Sequence, residues 1–211
     1  MAHTEKLPNF HNAFAAIYEG RFLAGVAAGM KLNQMIEDGK FSEDEAIMGY
    51  VAAYPYAEVI SGYTSFFLGA RFVCPSVTMK VVYTNSWYDE ALEKEGAVAL
   101  IAAGCKLISQ HADSMGAPSA CENAGIPNIS YNGSTIIACP NTFIVSSRIN
   151  WVPYFLYMIN SVQLGIPFNL DYVGTMKDGS VVLTDVNEAV AAPGTIELME
   201  EIKGLLESGE L

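Results

Sequence analysis

A chain of 211 residues, 51% of them apolar and only 16% charged, excludes a disordered protein, because it can bury a sizeable core. Its formal net charge of −12 excludes nucleic acid and anionic membrane surfaces as partners, since both would be repelled. The same charge disfavours highly anionic ligands and favours a neutral or weakly polar one.

The first part of the chain predicts one long helix followed by a linker. Residues 1–8 are polar and lack the basic and apolar regions of a signal peptide. Residues 11–37 carry apolar side chains three and four positions apart, which is the spacing of an amphipathic helix. Gly39 ends this pattern, and the acidic run 42–45 that follows predicts a solvated linker.

From Ala46 onward, short apolar runs alternate with amphipathic stretches. The predicted strands are 47–53, 78–83, 106–110, 127–131 and 142–146, and the predicted helices are 56–72, 88–103, 114–124 and 150–164. Continuous runs of Val, Ile, Leu and Ala in the strands indicate burial on both faces. The sequence therefore predicts an α/β fold, with a parallel sheet covered by helices on both faces.

The last part of the chain changes character. Asp178 and Gly179, between the apolar runs 172–176 and 181–183, predict a β-hairpin, and an apolar stripe predicts a final helix over 195–206. The uncharged segment 149–170 is about long enough to span a bilayer. Its prolines and amides favour a buried amphipathic helix instead.

Candidate ligand-binding residues follow from the predicted sheet, because ligands of open parallel sheets bind beyond the carboxyl ends of the strands. That rule selects the loops 54–56, 85–89, 110–114, 131–134 and 146–148. Aromatic and hydrogen-bonding side chains recur in them, which is the usual composition of a small-molecule pocket. The predicted ligand-binding residues are Tyr54, Trp87, Asp89, His111, Asp113, Ser114 and Asn132.

Several of these residues also have a purely structural interpretation. Asp89 opens a predicted helix, where a carboxylate stabilises the helix dipole. Ser114 fits a helix N-cap, and Asn132 with Gly133 fits a turn. Arg148 is different, because a cation at the start of a helix is slightly unfavourable, and this favours a specific partner for it.

Catalysis and metal binding find little support in the sequence. Cys139, His111 and Asp113 supply the residue types of a nucleophile, a base and an orienting group. However, His111 and Asp113 are two residues apart on one loop, and no GxSxG, HExxH, Walker A or GxGxxG pattern is present. The four cysteines lack metal-ligand spacing and predict reduced, mostly buried thiols. The sequence therefore predicts no enzyme activity, no metal and no cofactor.

Several segments, taken in order, resemble the basic membrane protein family, the nucleoside-binding lipoproteins of bacterial ABC transporters. Residues 14–29 resemble its E-x-x-x-L-A-G-x-x-A-G helix, and residues 48–54 with 62–69 resemble a strand and a glycine- and aromatic-rich helix. Residues 87–104 and 108–132 resemble its next helix and its pocket region. Together these segments cover about 150 residues.

The resemblance implies a substrate-binding protein of the type I periplasmic-binding-protein fold, whose two lobes close like a hinge on the ligand. Characterised members bind purine nucleosides, are exported and lipid-anchored, and deliver their ligand to a membrane permease. Carried over to this chain, Trp87, Asp89, the loop 111–114 and Asn132 would line the second lobe's half of the cleft. Neither a signal peptide nor a lipobox cysteine supports export or anchoring for this chain.

The chain departs from the family at three places. Asn132 stands where the family usually has an aspartate that accepts from ribose hydroxyls, and residues 113–116 replace a glycine-rich loop. The opening of the first lobe is missing, which implies a truncated receptor with a remnant helix and linker over 1–44, a ligand-binding lobe over 45–165 and a return to the first lobe over 166–211. The remnant helix 11–37 would then expose an apolar face, which predicts a homodimer that buries it.

Two other functions remain open at this stage. The same fold serves as the effector-sensing domain of regulators, although no helix-turn-helix pattern or basic stripe indicates DNA contact here. A hydrolase-like enzyme using Cys139 is the less favoured alternative.

Overall fold

The computed structural model describes residues 9–211, so the polar stretch 1–8 lies outside the described part. Most elements belong to one alternation of strands and helices. The strands are β1 (Asn12–Ala15), β2 (Ile47–Ala52), β3 (Thr78–Tyr83), β4 (Leu107–Gln110), β5 (Asn128–Tyr131), β6 (Phe143–Ile149), β7 (Asp171–Gly174) and β8 (Val181–Leu183). The helices are α1 (Ile17–Glu37), α2 (Ala57–Val73), α3 (Glu90–Ala102), α4 (Gly116–Ala124), α5 (Val152–Leu164) and α6 (Thr195–Ser208).

A six-stranded sheet forms the centre of the fold, in the order β3-β2-β4-β5-β6-β8. Its first five strands are parallel, and only β8 runs antiparallel, against β6. Helices α1, α2 and α6 pack on the face that holds Tyr50, while α3 and α4 pack on the opposite face with Val51. The predicted parallel sheet with helices on both faces is therefore confirmed.

Helices α1 and α2 cross at very short range because glycines line the crossing. A Cβ atom at Gly25 would lie 2.0 Å from the carbonyl oxygen of Phe66, and one at Gly69 would lie 2.0 Å from that of Phe22. Arg21 of α1 is completely buried, and its guanidinium donates to the Ser130 carbonyl oxygen at 3.2 Å. These contacts fix α1 against both α2 and the sheet.

The predicted helix 11–37 begins later than expected, and the prediction that its apolar face is exposed is wrong. Residues 12–15 form β1, which pairs in parallel with β7 far along the chain, and the helix begins only at Ile17. The apolar face of α1 is buried rather than exposed, with Leu23, Val26 and Leu32 at 0% exposure. A homodimer contact through this face is excluded, because α2, α6 and the sheet already cover it.

The predicted hairpin around Asp178 is also wrong. The turn itself forms, since Gly179 has a φ of +80° and the Asp178 carboxylate accepts from the Thr175 and Ser180 backbone N–H groups at 3.0 and 2.9 Å. The two strands then diverge. β7 pairs with β1 in a separate two-stranded sheet, and β8 pairs with β6 of the main sheet.

Helix α5 lies outside the main core, contrary to the predicted burial of the segment 149–170. Ser161 is its only buried residue, whereas Phe155, Ile159 and Val162 are 57%, 52% and 69% exposed. Its Tyr157 ring stacks on Tyr172 of β7 at 5.5 Å, so α5 packs with the two-stranded sheet. Within the described residues, no helix is long and apolar enough to cross a membrane.

The four cysteines are free and buried, as the sequence predicts. Burial raises the pKa of the Cys121 thiol to about 12. A thiol reacts as its thiolate, so burial disfavours the reactive form of Cys121 and favours a packing role for this side chain.

Candidate functional site

Four of the five predicted loops lie along one edge of the main sheet, because they follow the parallel strands β2, β3, β4 and β5 at their carboxyl ends. The fifth prediction is wrong, since residues 146–148 belong to β6, which pairs with β5 and β8 as far as Ile149. Tyr54 and Trp87 mark the β2–β3 end of this edge, and Asn132 marks the β5 end. Three strand steps separate β3 from β5, which corresponds to about 14 Å.

At the β2–β3 end, three aromatic side chains form one exposed cluster. The Tyr54 and Tyr56 rings stack with centroids 5.1 Å apart, and the Trp87 ring lies 5.2 Å from Tyr54. Trp87 is 51% exposed, and Tyr56 is 55% exposed. This cluster offers flat apolar faces to solvent, which suits the stacking of a planar or sugar ring.

At the centre of the edge, His111 is buried and already has partners. Its Nε2 atom lies 3.1 Å from the Glu58 Oε1 atom, and its ring stacks on Tyr131 with centroids 4.6 Å apart. Burial raises the pKa of the Tyr131 hydroxyl, and the charge of Glu58 adds to the effect. His111 is only 3% exposed, so the structure does not present it to a ligand.

Asn132 connects the loops after β4 and β5 to the end of β6. Its Nδ2 atom donates to the Asp113 Oδ1 atom at 3.0 Å, and its Oδ1 atom accepts from the Ile149 backbone N–H at 3.3 Å. Its backbone has a φ of +55°, a left-handed conformation that asparagine tolerates better than most residues. Asp113 remains exposed, while the Asn132 amide is half-buried. The pair therefore holds the ends of β4, β5 and β6 together and leaves Asp113 open to solvent.

Asp89 and Ser114 both make hydrogen bonds that stabilise the local fold. The Asp89 carboxylate caps α3 by accepting from the Leu92 N–H at 3.0 Å. Ser114 is 2% exposed, donates to the Glu93 carboxylate at 2.5 Å and accepts from the Gly116 N–H at 3.1 Å. Asp89 is half-buried and keeps some access, but the Ser114 hydroxyl is not presented to the cleft.

The residues of the hydrolase alternative are not brought together. Cys139 precedes β6, whereas His111 follows β4, and the two strands run in the same direction. The two side chains therefore lie toward opposite edges of the sheet. Burial also raises the pKa of the Cys139 thiol. Among the described residues, no group of His, Cys, Asp or Glu could hold a metal ion.

The predicted ligand-binding residues do not include Arg148 and Trp151, which line a cavity at the β6 end of the edge. An open cavity of about 390 Å³ lies where β6 meets α5, lined by Asn132, Gly133, Arg148, Ile149 and Trp151. Arg148 is exposed and Trp151 is 37% exposed. The unfavourable position of Arg148 before a helix was a usable signal, whereas Trp151 lay within a segment predicted to be buried.

Comparison with known proteins assigns this architecture to a family. Residues 4–201 match the Bmp family, described as PnrA-like ABC transporter substrate-binding proteins. The chain belongs to this family. A purine-binding protein of Brucella abortus is 32% identical over 198 residues, which are 93% of this chain and 53% of that protein. A putative ABC transporter glucose-binding protein of Haloferax volcanii is 34% identical over 157 residues, 74% of this chain and 37% of that protein.

Among solved structures, an ABC transporter solute-binding protein of Aeropyrum pernix has the same fold. It superposes with a TM-score of 0.81 at 19% identity, over 96% of this chain and 66% of that one. This Bmp family member thus has the fold of type I periplasmic binding proteins, as the sequence resemblance implied. The chain spans about half the length of the Brucella relative, 53% of it.

Proposed function

We propose that this chain supplies one lobe of a receptor for a neutral, nucleoside-like solute, which the receptor delivers to an ABC transporter permease. The observation that carries the proposal is the bridge from Asn132 to Asp113 and Ile149, which joins the loops after β4 and β5 to the end of β6 at the carboxyl edge of the parallel sheet. Membership of the Bmp family and the purine-binding relative support a nucleoside-like ligand. No catalytic step is part of the proposal.

In this proposal the predicted ligand-binding residues divide into two groups. Trp87 and Tyr54 offer ring faces, while Asp113, Asn132 and Asp89 offer hydrogen-bonding groups. His111 and Ser114 act indirectly, because their contacts with Glu58 and Glu93 hold the loop 111–114 in place. The family also supports an extracytoplasmic location, and lipid anchoring remains a prediction.

The ligand class is tested by a thermal-shift screen of the purified chain against purine nucleosides, pyrimidine nucleosides and glucose. A ligand at 100 times its Kd stabilises the protein that binds it by about 2.7 kcal/mol, which gives a measurable rise in Tm. We expect this rise with a purine nucleoside only. A rise with glucose alone would contradict the nucleoside proposal and would agree with the name of the Haloferax relative.

Helix α5 exposes an apolar face that no other part of the described chain covers. Phe155, Leu156, Ile159 and Val162 recur at helical spacing on a helix without a charged residue, in a chain of net charge −12. Contiguous exposed apolar surface of this kind marks an interaction site. We propose that α5, β1 and β7 are the parts that belong to the first lobe, and that a second copy of the chain covers this face.

Replacing Ile159 with glutamate is therefore expected to convert a dimer to a monomer, because each copy would bring a charge into the apolar contact. The molar mass is measured by light scattering at micromolar concentration. Ile137→Glu is the matched control, since Ile137 is 96% exposed on the loop before β6 and far from α5 in the chain. A wild-type chain that is strictly monomeric would contradict the predicted homodimer.

A further inference from the structure

Arg148 is a free cation at the edge of the sheet where the ligand is proposed to bind. It lies on β6 opposite Val182 of β8, and its exposed side chain lines the cavity at the β6–α5 junction, while its neighbour Ser147 is fully buried. Within residues 9–211 it makes no hydrogen bond or ion pair. In an acidic protein an unpaired guanidinium is a group available for a ligand.

The charge of Arg148 has no counterpart in the loops after β2, β3, β4 and β5, which contain no lysine or arginine. The loop before the antiparallel β8 also reaches this edge and carries the exposed Lys177, but Lys177 does not line the cavity. The amide of Asn132, beside it, already donates its Nδ2 hydrogen to Asp113. The strongest free hydrogen-bond donor of the cavity is therefore the guanidinium.

A ring face borders the same cavity. Trp151 is 37% exposed and lines it together with Arg148. The cavity volume of about 390 Å³ lies within the usual range for small-molecule sites. A flat indole beside a planar fork of donors suits a planar heterocycle that has two adjacent acceptors on one edge.

We propose that Arg148 and Trp151 form the base-reading subsite, and that this subsite selects 6-oxopurines over 6-aminopurines. A guanidinium donates two hydrogen bonds to the O6 and N7 acceptors of a 6-oxopurine, whereas a 6-aminopurine places a donor at position 6, facing another donor. Trp151 stacks on the ring. This inference rests on the proposed function, because it assumes a purine ligand, and it places the base at the β6 end of the edge, away from Trp87.

The test compares the affinities of inosine and adenosine by titration calorimetry for the wild-type chain and for Arg148→Gln. We expect the wild type to favour inosine by about 5- to 150-fold, the discrimination typical of one bidentate contact. Arg148→Gln is expected to remove or reverse this preference, because inosine loses the bidentate contact to O6 and N7, whereas a glutamine amide can accept from N6 and donate to N7 of adenosine. Arg71→Gln is the control, since Arg71 is exposed near the C-terminal end of α2, at the opposite edge of the sheet.

The outcomes distinguish a failure of the subsite from a failure of the nucleoside receptor. Equal wild-type affinities for inosine and adenosine, or an equal loss of both in Arg148→Gln, would overturn the subsite and leave the nucleoside receptor intact. A wild-type chain that binds neither nucleoside would overturn the proposed function and the subsite with it. Loss of the preference in Arg71→Gln as well would show an effect of net charge, and this too would overturn the subsite.

Tryptophan fluorescence gives a second, independent readout, because the chain has only two tryptophans. In Trp87→Phe the emission comes from Trp151 alone, and in Trp151→Phe it comes from Trp87 alone. We expect inosine to quench the emission of Trp87→Phe and to leave that of Trp151→Phe nearly unchanged. Quenching confined to Trp151→Phe would place the base against the Tyr54–Trp87 cluster and overturn the subsite.

Discussion

Replacing Gly25 with alanine is expected to lower the free energy of unfolding by about 2 kcal/mol. The new Cβ would lie 2.0 Å from the Phe66 carbonyl oxygen and 3.0 Å from the Ala70 backbone nitrogen, so α1 and α2 would have to separate. Overpacking in a tight core costs up to about 3 kcal/mol. The higher helix propensity of alanine stabilises α1 by about 1 kcal/mol, so the net loss is about 2 kcal/mol.

Gly204→Ala provides the matched control, because it makes the same chemical change on an exposed part of α6. No atom lies within 4 Å of the position that its Cβ would take, so only the helix propensity changes. We expect the free energy of unfolding to rise by up to about 1 kcal/mol. Urea unfolding of both variants measures the pair, and a loss of similar size in both would contradict the close crossing of α1 and α2.

Replacing Asn132 with alanine is expected to weaken nucleoside binding at least tenfold while the chain remains folded. The variant loses the hydrogen bonds to Asp113 and Ile149, each of which contributes about 1 kcal/mol. It also places alanine at a φ of +55°, which costs about 1–2 kcal/mol. The loops after β4 and β5 would then have to order at the moment of binding, and this lowers the affinity.

Two further variants separate the causes of that loss. Asn132→Gly removes the amide but tolerates the positive φ, so we expect an affinity between those of the wild type and the alanine variant. Asn141→Ala removes a comparable bridge, in which the Asn141 Nδ2 atom donates to the Glu122 Oε1 atom at 2.6 Å, before β6 at the opposite edge of the sheet. A loss of affinity in Asn141→Ala equal to that in Asn132→Ala would show that general stability, and not the loop bridge, controls binding.

The sequence predicted the central sheet well because each of its strands is a local apolar run between turn residues. The strand 78–83 has the predicted bounds, and the other four strands of the parallel core differ by a few residues at their ends. The sequence failed where pairing is distant. Residues 12–15 form a strand only because β7 lies beside them, and β8 leaves the predicted hairpin to join β6. No local pattern encodes either partner.

For the site, the rule about strand carboxyl ends located the loops but could not orient the side chains. Glu58 on α2 and Glu93 on α3 engage His111 and Ser114 and draw them inward, and this depends on how the helices pack. The exposure of Trp151 likewise depends on α5 lying outside the core. The loops were therefore predictable from topology, whereas the residues that face a ligand required the structure.

Titration calorimetry of a purine nucleoside into the wild-type chain and into Asn132→Ala, with Asn141→Ala as the control, tests whether the ligand binds at the carboxyl ends of β4, β5 and β6. We expect saturable binding to the wild type, a loss of at least tenfold in Asn132→Ala and no change in Asn141→Ala. Binding of equal affinity to all three proteins would contradict a ligand site at the carboxyl ends of β4, β5 and β6, and the absence of heat with the wild type would contradict the nucleoside ligand.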